Sequence, residues 1–302
     1  MVDIAALREV ISLVWRKRIA VAGDLTLRRS LQVSSEGLVA KEEDAVGGIG
    51  LVLRALQDLT VDLRVAVTVV GDDGVWFDLK DHFAELTFAT DYLQIDKRWT
   101  TPVDYQIREG QEVRQWRMRH EGPLNESLSL PLQMQLRAAC RQHDGLVLVD
   151  RSWGEEAGII DEEIRRVARS IAEQEARKRL IVWSDAALGR YARWWRYLPP
   201  GELADQLAVG GFEGIAAAAT EHRETYFLQT GDGLIVAAPG QPAELVTAPI
   251  AADFSPDSVL AAIAAAGISG ADSRAAGQIG AAAASLAAPV TTGAIAKVIE
   301  RI

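Results

Sequence analysis

The segment Asp253-Phe-Ser255-Pro256-Asp257-Ser258 puts two carboxylates and two hydroxyls around a proline, directly before the Ala-rich run Val259 to Gly267. A helix that starts here turns free backbone N–H groups and the positive end of its dipole toward any anion nearby. An acidic side chain at such a start is suited to take a proton from a hydroxyl. The same residues also read as an ordinary N-cap, with Asp257 or Ser255 capping a core helix and Pro256 in its first turn.

The elements that must position this segment are short apolar strands that end in acids. Arg18-Ile-Ala-Val-Ala-Gly23 runs into Asp24, Leu63 to Val70 closes on Gly71-Asp72-Asp73-Gly74, and Gly145-Leu-Val-Leu-Val ends at Asp150. A charged helical stretch from Glu162 to Arg179 leads to the strand Arg179 to Ser184. Repeated β-α-β order predicts a parallel sheet with helices on both faces, and ligands collect beyond the carboxyl ends of such strands.

Between these strands, Asp44-Ala-Val-Gly47-Gly48-Ile-Gly50 precedes a helical pattern from Leu51 to Leu59. Glycines before a helix let backbone approach a ligand, but a dinucleotide-binding GxGxxG is not completed, because Leu53 occupies its third glycine position. Further helices are expected over residues 2–15, 75–88, around 130–140, 202–209 and 215–222, and in the Ala-rich last fifty residues. Residues 93 to 119 alternate, as in Val103-Asp-Tyr-Gln-Ile-Arg and Val113-Arg-Gln-Trp-Arg-Met-Arg, which predicts a half-exposed hairpin. Thr225 to Ala238 reads as strand, glycine turn, strand. The cluster from Arg190 to Pro200 is expected to turn its aromatics inward and its arginine tips to water.

Composition bounds the function. The chain has 302 residues, is 49% hydrophobic and carries a net charge of −10, which suits a globular protein and argues against nucleic acid as partner. The apolar N-terminal run is interrupted by Asp3, Arg8 and Glu9, and no window approaches a membrane span. A single cysteine, Cys140, excludes a disulfide framework and predicts a reducing, cytoplasmic setting with Cys140 as a buried apolar side chain. His82, His120, His143 and His222 lack metal-ligand spacing, and neither GxxxxGK[ST] nor GxSxG occurs, so metallohydrolase and serine-hydrolase chemistry are not expected.

The order of these parts resembles the PfkB/ribokinase family of sugar kinases, and most nearly the kinase domain of bacterial heptose kinase/adenylyltransferases. Val21-Ala-Gly23-Asp24 is similar to the family's first-strand motif, Gly47-Gly48 to its Gly-Gly, and Leu146-Val-Leu-Val-Asp150 to a strand ending in a substrate-side acid. Thr230-Gly231-Asp-Gly233 resembles the nucleotide-side turn, and Gln278 stands where many members keep an Asn near adenine. Asp253 to Ser258 is similar to a shortened Asp-x-Thr-Gly-Ala-Gly-Asp-Ser/Thr. The resemblance implies an α/β, ribokinase-like three-layer αβα domain over 1–302, with a mostly parallel central sheet. A small β lid would be built from segments 25–46 and 93–119. It implies Asp257 as base, and Asp24, Arg28, Gly47, Gly48 and Asp150 on the substrate side. Thr230, Gly231, Gly233, Ser258 and Gln278 would lie on the nucleotide side, with ATP and Mg²⁺ as cofactors of an active member and homodimers common.

Departures fall on the positions that touch ligand. Arg28 stands where the family keeps a sugar-binding Asp, Leu51 replaces an Asn, and Gly201-Glu202-Leu203-Ala204 replaces Asn-x-x-Glu. Pro256 replaces the Gly-Ala-Gly, removing an N–H donor and the glycines that let a loop wrap an oxyanion. The expectation is therefore a kinase-like protein with weak or absent phosphotransferase activity, acting by binding a sugar-like or anionic ligand or a partner. The alternative is a working ATP-dependent kinase of a sugar-like hydroxyl.

Overall fold

A computed structural model describes residues 3–83, 85–120, 122–151 and 158–301. Residue 2 of the expected N-terminal helix and residue 84 of the expected 75–88 helix lie outside them. The chain runs α1 (Ile4–Leu13), β1 (Arg18–Gly23), β2 (Leu25–Val33), β3 (Val39–Gly48), α2 (Ile49–Asp58), β4 (Leu63–Gly71), α3 (Gly74–Phe83), β5 (Ala89–Asp96), β6 (Val103–Glu109) and β7 (Glu112–Met118). It continues through α4 (Glu126–Gln142), β8 (Gly145–Asp150), α5 (Glu162–Gln174), β9 (Arg179–Ser184), β10 (Trp195–Leu198), α6 (Glu202–Ala208) and α7 (Gly211–His222). The last elements are β11 (Thr225–Thr230), β12 (Gly233–Ala237), β13 (Glu244–Thr247), α8 (Pro256–Ile268), α9 (Ser273–Ala284) and α10 (Thr292–Ile299).

Among the described residues the strands make a nine-stranded sheet, ordered β13-β12-β11-β10-β9-β8-β1-β4-β5, and a four-stranded sheet, ordered β3-β2-β6-β7. The large sheet is parallel from β5 across to β11 and turns antiparallel at β12 and β13. Alternation along each strand splits the core into two layers. Val21, Val147 and Ile181 face the Ala-rich α8 on one side, while Ala20, Ala22, Leu146 and Leu148 face α4 and α5 on the other. From Asp257 to Ile268 every residue of α8 is buried, as expected of a helix apolar on all sides. Its alanines let it lie close to the sheet and α2.

Two expectations need correction. Residues 93–96 do not belong to the lid: with Ala89 to Tyr92 they form β5, parallel to β4 at the edge of the large sheet, and the lid's second segment begins at Val103. The run Tyr92-Leu-Gln-Ile95 carries the same alternation as the hairpin, so period alone could not separate them. The 190–200 cluster contains a strand, β10, and the Arg196 guanidinium points into the core rather than to water. It is accommodated there because the carbonyls of Ser184 (3.0 Å), Ala186 and Ala187 (3.1 Å) accept from it and Glu224 lies 3.4 Å away.

Candidate functional site

A cleft of about 730 Å³ opens between the lid sheet and the carboxyl ends of the core strands. Its core wall is Arg151 after β8, Trp183 on β9, and Pro256 and Asp257 at the start of α8. Its lid wall comes from strand alternation. Arg28 lies opposite Asp104, and Asp104 opposite Arg117, so the three share one face across β2, β6 and β7. Ser30, Gln106 and Gln115 form the next row of that polar face, and all of these residues line the cleft.

Gly47 and Gly48 let the lid leave the core at this point. They pair with Thr26 and Leu25 where β2 and β3 meet. A Cβ on Gly47 would lie 2.2 Å from the Thr26 hydroxyl and 2.7 Å from the Arg28 stem. Gly48 has φ +55°, and a Cβ there would lie 2.1 Å from the Asp24 carbonyl oxygen, so only glycine fits at the start of α2. The far side of the lid is pinned by Asp73. Its carboxylate accepts from the Trp76 N–H (2.9 Å), the Thr101 N–H (2.9 Å) and the Thr101 hydroxyl (3.0 Å), which fixes the chain entering β6.

The α8 N-terminus is closed on itself. Ser255 is its N-cap, with Oγ accepting from the Ser258 N–H at 3.3 Å, while the Val259 N–H donates to the Ser255 carbonyl at 3.1 Å. Pro256 has no N–H to offer. Of the first-turn donors, the one at position 256 is therefore absent and those of Ser258 and Val259 are engaged. The Asp257 side chain is itself buried in the cleft wall, with Oδ1 lacking a hydrogen-bond partner among the described residues. Burial pushes its pKa up to about 6, against the opposing charges of Arg151 and Arg28. Burial likewise raises that of Asp104, against Arg117, Arg28 and Arg151.

The cleft brings together only part of the residue set expected from sequence. Arg28, Gly48 and Asp257 line it, with Leu51 beside them. Ser258 is buried one residue beyond Asp257. Asp24 does not line the cleft: its Oδ1 accepts the Ile159 N–H at 3.1 Å, and burial pushes its pKa up to about 6. Asp150 is directed into the core rather than the cleft: it pairs with Arg165 and accepts from the hydroxyls of Ser184 (2.9 Å) and Tyr191 (2.5 Å).

The nucleotide-side residues lie apart. Thr230 and Gly233 close the β11–β12 turn, where the Thr230 hydroxyl donates to the Gly233 carbonyl and accepts the Asp232 N–H, both at 3.3 Å, and Gly231 sits at its tip. Gln278 lines a separate cavity of about 220 Å³ with Arg274, Glu244 and Thr247, and Thr247 is the ladder partner of Gly233. Among the described residues no group of three or more His, Cys, Asp or Glu side chains has metal-binding geometry.

Asp104, Arg117, Arg151, Trp116 and Trp183 also line the cleft and were not singled out by sequence. Arg151 carried a signal, since it directly follows a strand-ending acid. Asp104 and Arg117 became legible only when strand pairing placed them in a row with Arg28.

No protein-family model matches the chain, and no curated protein does. Solved structures do. Escherichia coli phosphofructokinase-2 in complex with potassium aligns with a TM-score of 0.71 at 17% identity, over 94% of this chain and 99% of that one. Arabidopsis thaliana ribokinase, complexed with ribose and ATP, gives 0.65 at 13% identity over 94% and 99%. A microbiome-derived acarbose kinase gives 0.67 at 13% identity over 94% and 99%. At these identities the likeness establishes architecture: the chain has the ribokinase-like α/β fold seen in PfkB/ribokinase-family carbohydrate kinases.

Proposed function

We propose that this protein uses a carbohydrate-kinase fold to bind a small molecule in the cleft between lid and core, and that it transfers phosphate weakly or not at all. The observation that carries this reading is the α8 N-terminus, where Pro256 supplies no N–H and Ser258 and Val259 spend theirs within the turn. Phosphoryl transfer depends on positioning and on charge stabilisation by such donors. Loss of one preorganised donor costs about 10²–10³ in rate, and the residues at Gly201 to Ala204 supply no Asn-x-x-Glu to support a metal. A closer kinship with heptose kinase domains rests on motif order alone, and a cytoplasmic setting is supported by the single buried Cys140.

A second reading, an active kinase of a sugar-like hydroxyl, is favoured by Asp257. Its carboxyl is in the cleft wall with a free Oδ1 and a pKa of about 6, which suits a general base near neutrality. Purified protein given ATP, Mg²⁺ and a panel of sugars and sugar phosphates separates the two. The proposal expects product no faster than an Asp257→Asn variant forms it. Robust product that disappears in that variant overturns the proposal and establishes the second reading.

A further inference from the structure

The lid is seated on the core by its base. Leu25, Thr26 and Leu27 of β2, Val46 and Gly47 of β3 and Val103 of β6 are buried, whereas from Arg28 onward β2 is half-buried or exposed and β7 is exposed throughout. Few buried apolar contacts therefore fix the outer lid, and its orientation depends on polar links. Two such links run to α3. At the helix start, Asp73 joins the Trp76 N–H to Thr101, two residues before β6. One turn further on, Nη2 of Arg29 on β2 donates to Oδ2 of Asp78 at 2.6 Å. The lid itself aims this guanidinium. Asp44, the ladder partner of Arg29 on β3, accepts from Nε at 2.9 Å and from Nη2 at 2.7 Å, and Glu42, two residues along on the same face, lies 2.9 Å from Nε. One cation thus meets two carboxylates of the lid and one of the core. The Asp78 side chain is 46% exposed and that of Asp44 18%, so solvent and salt reach the core contact more readily than the lid contact.

We propose that the Arg29–Asp78 bridge is a releasable latch. Closed, it holds the outer lid against α3 and sets the width of the cleft; open, it frees the outer lid to swing about its buried base. The fork of Arg29 is already oriented by Asp44, so the bridge to Asp78 forms with little further loss of side-chain freedom. An ion pair this exposed adds little to overall stability, which suits a contact that must break without unfolding the chain. When it breaks, Arg29 keeps its two lid carboxylates and only the core contact is lost. The latch bears directly on the cleft, because Arg28 stands next to Arg29 on β2 with its side chain on the opposite face, in the cleft wall. Arg29 and Asp44 also reach the cleft, so a molecule bound there can compete with Asp78 for the guanidinium. The latch is a property of the empty protein and does not depend on what the cleft binds.

Spin labels on Leu38→Cys, in the turn between β2 and β3, and on Val209→Cys, after α6, test this by pulsed electron resonance on the ligand-free full chain. Both positions are exposed, at 64% and 88%, and Cys140 is buried away from the label. Labelled chains are diluted into unlabelled ones, so that only distances within a chain are read. The starting protein should give one narrow distance distribution. Asp78→Asn should broaden it or move its maximum, whereas Asp78→Glu, which keeps the charge, should retain it. Arg29→Gln should act at least as strongly as Asp78→Asn, because three carboxylates then face one another, and the double variant should be no broader than Arg29→Gln alone. Sodium chloride at about 1 M, where the screening length falls to about 3 Å, should broaden the distribution of the starting protein and leave that of Asp78→Asn unchanged. Arg114→Gln, which removes an ion pair with Glu112 inside β7, should have no effect. Melting curves establish that the variants fold. An unchanged distribution in Asp78→Asn, an equal change in Asp78→Glu or Arg114→Gln, or equal broadening by salt with and without Asp78 overturns the proposal.

Discussion

Arg165 on α5 holds Asp150 at the end of β8 through two parallel hydrogen bonds, Nε to Oδ2 and Nη2 to Oδ1, both 2.9 Å, with the two side chains 7% and 1% exposed. The pair ties the helix layer to the strand end from which Arg151 enters the cleft. Breaking it by Arg165→Met strands a buried carboxylate and should cost about 3–5 kcal/mol. Urea denaturation checks this; a loss under 1 kcal/mol (roughly that of an exposed pair) would mean the pair is not the tie described. Asp150→Leu combined with Arg165→Met should recover most of the loss.

The Asp257 carboxyl makes stability depend on pH in a defined direction. Its folded pKa of about 6 lies above its ordinary value of 3.8, so the folded state binds a proton more readily than the unfolded chain. Stability therefore rises as pH falls from 7 toward 4, and the ionised form is a liability above 6. Asp257→Asn should stabilise the protein at pH 8 by about 3 kcal/mol, because each tenfold gain in proton affinity on folding corresponds to about 1.4 kcal/mol, and the gain should vanish near pH 4. Paired denaturation curves at the two pH values test the sign, and an equal effect at both would refute it.

At Gly48 conformation and space act together, since φ is +55° and a Cβ would lie 2.1 Å from a backbone oxygen. Gly48→Ala should cost about 1–3 kcal/mol or more in thermal unfolding and weaken any ligand bound in the cleft. Gly293→Ala, in open space on α10, should be neutral or slightly stabilising. Similar melting temperatures for the two variants would contradict this account.

The other face of the lid sheet carries an apolar patch of Leu31, Tyr105, Ile107, Trp116 and Met118 beside Arg29 and Arg114; Tyr105 and Trp116 also reach the cleft, and Trp116 and Met118 are 63% and 40% exposed. An apolar sheet face of this kind calls for a cover, and a second copy of the chain is the expected one, giving a homodimer in sedimentation at micromolar concentration. Ile107→Lys with Met118→Glu should shift it to monomer. A wild-type monomer at that concentration would end the dimer proposal.

What the sequence by itself determined is the layered architecture. Gly23-Asp24, the apolar run ending at Asp150 and the Ala-rich Val259 to Gly267 are local signals: each reports burial through its own residues, and their order dictates a parallel sheet with helices on both sides. Asp257 and Arg28 were legible because they stand inside such signals. Tertiary structure decided what these residues face. Arg151 follows a strand-ending acid in sequence, but only the fold sets it in one cleft with Pro256 and Asp257. Asp150 looked like a free acid until Arg165, fifteen residues on, was seen to reach back to it. Asp104 and Arg117 became cleft residues only through the register of β2, β6 and β7, because a strand's alternation marks two faces without saying which of them meets the ligand and which meets water.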